Sequence, residues 1–523
     1  MHRPNSGAAR AAVPLLVSTV LAGAAVAACT SSGGSAGQSG ASAAAAAAKL
    51  DWHPCPTSGA GAPEGKHMKC ASLQVPLDYS NPGGRKITLA LSEIPATAPV
   101  GARKGVLLVN PGGPGASGTA FAANVASGLS PGVAAQYDIV GFDTRGVGAS
   151  IPSLHCEPSF FSGPRPNYVP ANQAAEQVLL NRARQYAAAC EKNFGWLLPH
   201  MTTQDLARDM DSIRLALGQR KINYYGVSYG TYLGQVYATM FPHHLRRMVL
   251  DSIVNPHGVW YADNIQQDYA FQGRMDAFET WLARHHHVYG LGSTPAQVQA
   301  TYAATLAKLA SHPINSPGGP IIGPDELTDT ILTGGYDNAY WPYLAAALSS
   351  YLHHGSATEL TTLYQQIGKQ GENEFAVYLA VQCSDVGWPR NWARWDADTR
   401  RVYRTAPFLA WDNAWFNAAC AFWPVRGPAM PLKIGAAGLP PILLLQGTLD
   451  AATPYHGALV VRRLLPTSRL VVTVRSGNHG QSLSYPPNNC VNNYVDRYLA
   501  SGRLPTGTGL VNATCPATPA PKA

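Results

Sequence analysis

One serine in this chain stands where a nucleophile could be made. Gly226-Val227-Ser228-Tyr229-Gly230 follows the apolar run Ile222-Asn223-Tyr224-Tyr225 and precedes Thr231 to Ala238, which has helical spacing. Strand, sharp turn and helix would lift the Ser228 hydroxyl clear of a sheet edge, and the flanking glycines let the backbone pack closely. A serine needs a base, an orienting acid and donors for the oxyanion it creates. Asp450 ends Leu443-Leu444-Leu445-Gln446-Gly447-Thr448-Leu449-Asp450, and His479 lies in Ser476-Gly477-Asn478-His479-Gly480. Alone, the first reads as a turn residue and the second as a surface histidine. Together, in the order Ser, Asp, His and each after a strand-like run, they describe acyl transfer. Neutral His479 would take the Ser228 proton while Asp450 holds its tautomer. Such chemistry needs neither metal nor organic cofactor.

A second glycine-rich stretch, Asn110-Pro111-Gly112-Gly113-Pro114-Gly115-Ala116-Ser117-Gly118, follows the apolar run Gly105 to Asn110. Its bare N–H groups suit an oxyanion hole. Pro114 has no N–H, so Gly113 is the first candidate and Gly115 the second. The other donor is expected to be the Tyr229 N–H, directly after the nucleophile. Asp143-Thr144-Arg145-Gly146-Val147-Gly148-Ala149-Ser150 also follows a strand-like run, and the expectation there is structural: Asp143 pairs with Arg145 and fixes loops near Ser228.

These loops need a frame. Strands are predicted at Ile87–Ile94, Gly105–Asn110, Tyr137–Phe142, Ile222–Gly226, Met248–Asp251, Ile442–Gln446 and Leu470–Val474. Several are continuous apolar runs, as in a sheet covered on both faces. Helical patterns lie between them; Leu206, Met210, Ile213 and Leu217 share one face, with Thr203 as the expected cap. Alternating strand and helix predicts an α/β class with a doubly wound, mostly parallel sheet. The alternation stops between about Pro256 and Pro431. That stretch, rich in Ala, Leu, Tyr and Trp, reads as an inserted helical cap. The expected order is core 50–257, cap 258–430, core 431–515 and a tail 516–523.

The chain has 523 residues, 46% apolar and 13% charged, with a formal charge of +8. That length can bury a large core. No long basic run appears, so nothing points to nucleic acid. Arg3 and Arg10 precede the apolar run Ala11 to Ala28, a secretory leader pattern over 1–28. Cys29 follows Val26-Ala27-Ala28, resembling a bacterial lipobox. By that resemblance Cys29 would carry lipid and tether the chain to the outer face of a membrane. Residues 29–49 would be a flexible Ser/Gly/Ala tether. Eight cysteines remain of nine. An even number in an exported chain suggests disulfides, with 105 possible connectivities. Their clustering favours Cys55–Cys70, Cys156–Cys190, Cys383–Cys420 and Cys490–Cys515. His285-His286-His287 is read as a solvated face, since adjacent histidines on a helix diverge, and no metal site is expected.

The G-G-P-G loop, D-T-R-G-x-G-x-S, G-V-S-Y-G-T-Y-L-G, G-T-L-D-x-x-T-P and G-x-H-G together resemble the α/β-hydrolases of the proline iminopeptidase type. The resemblance is closer to the secreted tripeptidyl aminopeptidase branch of actinobacteria and spans about Leu50 to Cys515. Val381-Gln382-Cys383-Ser384-Asp385, Cys420-Ala421-Phe422-Trp423-Pro424 and Tyr498-Leu499-Ala500-Ser501-Gly502-Arg503-Leu504-Pro505 also match. Two departures stand out: Asn110-Pro111 where relatives often have His, and no cysteine pair near Trp281 to Leu291. The resemblance implies release of short peptides, tripeptides first among them, from free N-termini of peptide or protein substrates. A carboxylate must then bind the substrate ammonium; Asp385, Glu374 and Glu372 are candidates, with Asp385 favoured. Thr453 is expected to brace the Asp450 loop. A carboxylesterase or lipase with the same triad, and a silent peptide-binding lipoprotein, remain alternatives from sequence alone.

Overall fold

The computed structural model describes residues 50–56, 68–315 and 319–523; the leader 1–28, the tether 29–49 and Cys29 within it lie outside the described residues. Ten strands form one sheet: β1 (His53–Pro54), β2 (Lys69–Pro76), β3 (Lys86–Ile94), β4 (Val106–Asn110), β5 (Asp138–Phe142), β6 (Ile222–Val227), β7 (Leu245–Asp251), β10 (Ile442–Gly447), β11 (Arg469–Val474) and β12 (Ala513–Pro516). The remaining pair, β8 (Ile314–Asn315) and β9 (Ile321–Ile322), makes a separate ribbon. The spatial order is β1-β2-β3-β5-β4-β6-β7-β10-β11-β12. β1, β2 and β3 join antiparallel, and every pairing from β5 through β12 is parallel.

The central strands are apolar throughout because both faces are covered. Leu107 and Val109 enter one apolar cluster and Leu108 the other; Leu443 and Leu445 follow the first pattern and Leu444 the second. β2 escaped the sequence reading. Its buried Ala71, Leu73 and Val75 alternate with exposed Lys69, Ser72 and Gln74, the pattern of a strand buried on one face.

The helical insertion does not form one unit. Residues from Met275 to Tyr364 share their own apolar cluster. The helix Glu372–Asp385, with Trp395 and the segment Ala419 to Trp423, instead belongs to the main core. Polar contacts fix that helix. Asn373 Nδ2 donates to Gly146 O at 2.9 Å and Leu154 O at 2.8 Å, and its Oδ1 accepts from Gly148 N–H at 2.9 Å. Glu372 accepts from Cys156 N–H at 2.8 Å, Glu157 N–H at 3.0 Å and the Tyr186 hydroxyl at 2.8 Å. Glu372 is therefore a structural anchor with its oxygens occupied.

Four disulfides join Cys55 to Cys70, Cys156 to Cys190, Cys383 to Cys420 and Cys490 to Cys515. Two local expectations change. Arg145 pairs with Asp209, Nη2 to Oδ1 at 2.7 Å and Nε to Oδ2 at 2.7 Å, rather than with Asp143. Asp143 instead accepts from Ser117 Oγ at 2.7 Å, Thr119 N–H at 3.1 Å and Ala149 N–H at 3.0 Å, so it ties the glycine loop to its neighbour. The cap of the helix Thr203–Ala216 is Thr202, whose Oγ1 accepts from Asp205 N–H at 3.2 Å. Among the described residues no helix is long and apolar enough to cross a membrane.

Candidate active site

The loops after β4, β6, β10 and β11 all open at the carboxyl edge of the sheet. β4 and β6 are neighbours, with β5 on the far side of β4, so the chain reverses direction of progress there. Such a switch point leaves a crevice between the two loops, and open α/β sheets bind ligands in it.

Ser228 follows β6 with φ 56° and ψ −127°, left-handed backbone that few L residues adopt. Strain of this kind costs roughly 1–3 kcal/mol and persists only where neighbours impose it. Here the Ser228 N–H donates to Asp251 O at 3.0 Å, and Ser228 O accepts from Thr231 N–H at 2.8 Å and Thr231 Oγ1 at 2.6 Å. A Cβ on Gly226 would strike the Gly230 backbone, and one on Gly230 would lie 2.7 Å from Asn110 O. These clashes are the reason for both glycines of the motif. The hydroxyl does not cap the helix Tyr229–Met240 and stays available.

The Asp450 side chain is fully buried and that of His479 is 12% exposed. Imidazole Nδ1 lies 3.0 and 3.1 Å from the two Asp450 oxygens. Thr453 donates to the same carboxylate from N–H and Oγ1, each at 3.1 Å. The imidazole Nε2 has no partner among the described residues, which leaves it free for the Ser228 proton. Burial alone would push the His479 pKa down. The charge and hydrogen bond of Asp450 outweigh that, and the pKa ends above its ordinary value. Activity that needs the neutral base must then fall as pH drops through a value above about 6.5. We expect the acid limb of kcat/KM there; a limb below pH 6 would contradict the Asp450 contact.

A residue missed in the sequence links these parts. Asp251 ends β7 fully buried; its carboxylate accepts from Gln481 N–H at 2.8 Å, Ser482 N–H at 2.8 Å and Ser482 Oγ at 2.7 Å. Its carbonyl already holds Ser228 N–H, so Asp251 joins the nucleophile turn to the histidine loop. Its only sequence signal was a charge at the end of an apolar run, Met248-Val249-Leu250-Asp251.

The glycine loop after β4 lies against the nucleophile. A Cβ on Gly112 would sit 2.9 Å from Ser228 Cβ and 3.0 Å from Tyr229 N. Gly112 and Gly113 both have φ near +100°, which favours glycine. Gly112 N–H is spent on Asn110 Oδ1 at 3.0 Å. Gly113 and Tyr229 N–H groups make no hydrogen bond among the described residues; Tyr229 follows the nucleophile directly, and Gly113 follows Gly112, the residue that touches Ser228. That pair can receive a carbonyl oxygen as it becomes an oxyanion.

The three candidate carboxylates part ways. Asp385 accepts from Thr203 N–H and Thr203 Oγ1, each at 2.5 Å, and from Trp260 Nε1 at 3.3 Å. Thr203 Oγ1 in turn meets the Tyr229 hydroxyl at 2.7 Å. Burial raises the Asp385 carboxyl to about 7. It braces the nucleophile helix and is not free for substrate, which corrects the preference drawn from sequence. Glu374 is the opposite case. It is exposed to solvent with no hydrogen-bond partner among the described residues, yet enough protein surrounds it to push its pKa up. A Cβ on Gly115 would lie 3.1 Å from Glu374 Cα, so the glycine loop rests on this residue. Tyr336 feels the charges of both Glu374 and Asp450, and its ring meets His479 edge-on at 5.6 Å. Glu374 is therefore linked to the triad's surroundings through its charge on Tyr336. Among the described residues no group of three or more His, Cys, Asp or Glu could hold a metal.

A family model described as alpha/beta hydrolase fold matches residues 105–484. The chain is 41% identical to the tripeptidyl aminopeptidase of Streptomyces coelicolor over 91% of this chain and 87% of that one. It is 31% identical to the serine protease Hip1 of Mycobacterium tuberculosis, over 87% of this chain and 89% of the relative. It is 33% identical to a protein of the same organism named carboxylesterase B, over 87% and 88%.

Proposed function

This chain belongs to the α/β-hydrolase fold family, and on that premise we propose a serine exopeptidase that releases short peptides, tripeptides first among them, from free N-termini. Ser228 Oγ attacks the scissile carbonyl as His479 Nε2 takes its proton. Gly113 and Tyr229 N–H groups hold the oxyanion. His479 returns the proton to the leaving amine, and water, deprotonated by the same imidazole, releases the acyl-enzyme. The observation that carries the exopeptidase reading is Glu374, an exposed carboxylate with no hydrogen-bond partner among the described residues, on a residue whose backbone adjoins the oxyanion loop. A peptide α-ammonium is the complementary charge. The Streptomyces tripeptidyl aminopeptidases support the same substrate class.

The test is a matched chromogenic series: a free-amine tripeptide, its acetylated form, a single amino acid and a short acyl ester. Preference for the free tripeptide supports the reading. Turnover of the ester alone would move the protein to the esterases.

Four disulfides suit an oxidising compartment. We further propose lipidation at Cys29 after removal of 1–28, with the body held at the outer face of the membrane. Cys29→Ala should shift the protein from the membrane fraction to the medium. Retention at the membrane would overturn the anchor.

A further inference from the structure

The loop that carries His479 is gripped from the cap at three points. Asn338 N–H donates to Asn478 Oδ1 at 3.1 Å, and His479 N–H donates to Tyr336 O at 2.7 Å. The third point is Gly477, where a Cβ would run into the Arg274 guanidinium, so the cation packs closely on that glycine. Arg274 comes from the helix Tyr261–Arg284, in the inserted segment.

Arg274 is an uncommon cation. It is 5% exposed, and among the described residues it makes no ion pair within hydrogen-bond range. Its Nε reaches Gly335 O at 3.4 Å, its guanidinium carbon sits 5.2 Å from the centre of the Trp341 ring, and its Nη2 has no partner. Burying a cation so sparsely partnered is costly. Burial pulls its pKa down, and the charges that hold it up are Asp450 first and Asp337 second.

We propose that Arg274 is a positioning residue for the base: it seats the Gly477-Asn478-His479 backbone and offsets the charge of Asp450. The proposal rests on His479 being the base. The charged groups acting on the imidazole are Asp450 from the loop after β10 and Asp251 from the end of β7. Tyr336 faces it from the cap, and the charge of Glu374 acts on that tyrosine. Both carboxylates favour the imidazolium. Arg274, whose own charge is held up first by Asp450, would offset that carboxylate and so keep His479 neutral, and able to accept a proton, to lower pH.

The test compares wild type with Arg274→Met, Arg274→Lys and Gly477→Ala, using kcat and KM from pH 5 to 9. Active sites are counted by fluorophosphonate labelling of Ser228. Per active site, Arg274→Met should lose about tenfold or more in kcat, with KM changed less than about threefold. Its acid limb should move up by about half a pH unit or more. Arg274→Lys should restore the limb and not the full kcat, because one ammonium cannot fill the space the guanidinium takes beside Gly477. Gly477→Ala should lower kcat with Arg274 intact, and it decides the matter if Arg274→Met does not fold. Equal kcat per site and an unmoved limb in the folded variants would overturn the proposal. Wild type without Ser228-dependent turnover would sink the catalytic reading instead.

Discussion

Ser228→Ala should lose about 10⁴–10⁶ in kcat on the free tripeptide, with KM little changed. In the proposed mechanism the hydroxyl forms the acyl intermediate, and every later step passes through that bond. Residual turnover should come from the two unpartnered N–H groups of Gly113 and Tyr229, which still polarise a bound carbonyl. The triad acts as a unit, so Ser228→Ala with His479→Ala should be no slower than Ser228→Ala alone. Additive losses in the double variant would show that His479 acts independently of Ser228. Fluorophosphonate labelling must vanish in Ser228→Ala; a labelled variant would place the nucleophile elsewhere.

Glu374→Gln should lower kcat/KM for the free tripeptide about 50-fold or more, mostly through KM. A charge-assisted bond to an ammonium in a walled site is worth about 2–3 kcal/mol. The acetylated peptide and the acyl ester should change by less than about threefold, since neither offers a cation. The pH dependence has a definite sign. Burial holds the Glu374 pKa above its ordinary value, so the carboxylate is lost as pH falls through that raised value. KM for the free tripeptide should climb on that descent in the wild type and stay flat in Glu374→Gln. Equal losses on acetylated and free peptides would assign Glu374 to structure.

Which parts of this arrangement a sequence can show follows from their physics. The catalytic loops were legible because each follows a strand buried on both faces, and such strands are uninterrupted apolar runs. β2 was not, because its buried residues alternate with polar ones and include alanine. The helical insertion read as one segment since helical spacing says nothing of which core a face joins. Glu372, Glu374 and Asp385 lie on one helix within 14 residues. Helix phase sends Glu372 to the loop at Cys156 and Asp385 to the start of the helix Thr203–Ala216, and leaves Glu374 exposed with its backbone against Gly115. Composition could nominate all three and rank none. Arg145 found Asp209 rather than Asp143 because its partner is 64 residues away, a pairing set by the tertiary fold.

The four disulfides span 15, 34, 37 and 25 residues, and each of their eight cysteines pairs with its neighbour in that set. During vectorial passage through a membrane, N-terminus first, the first cysteine of each pair is followed by its own partner before a cysteine of a later pair emerges, and the lipid proposed for Cys29 takes the ninth thiol out of the competition. Oxidation in order of emergence therefore reaches the native set, one of 105 pairings, without reshuffling. Export and oxidative folding can run together in this chain, and an isomerase has little left to correct.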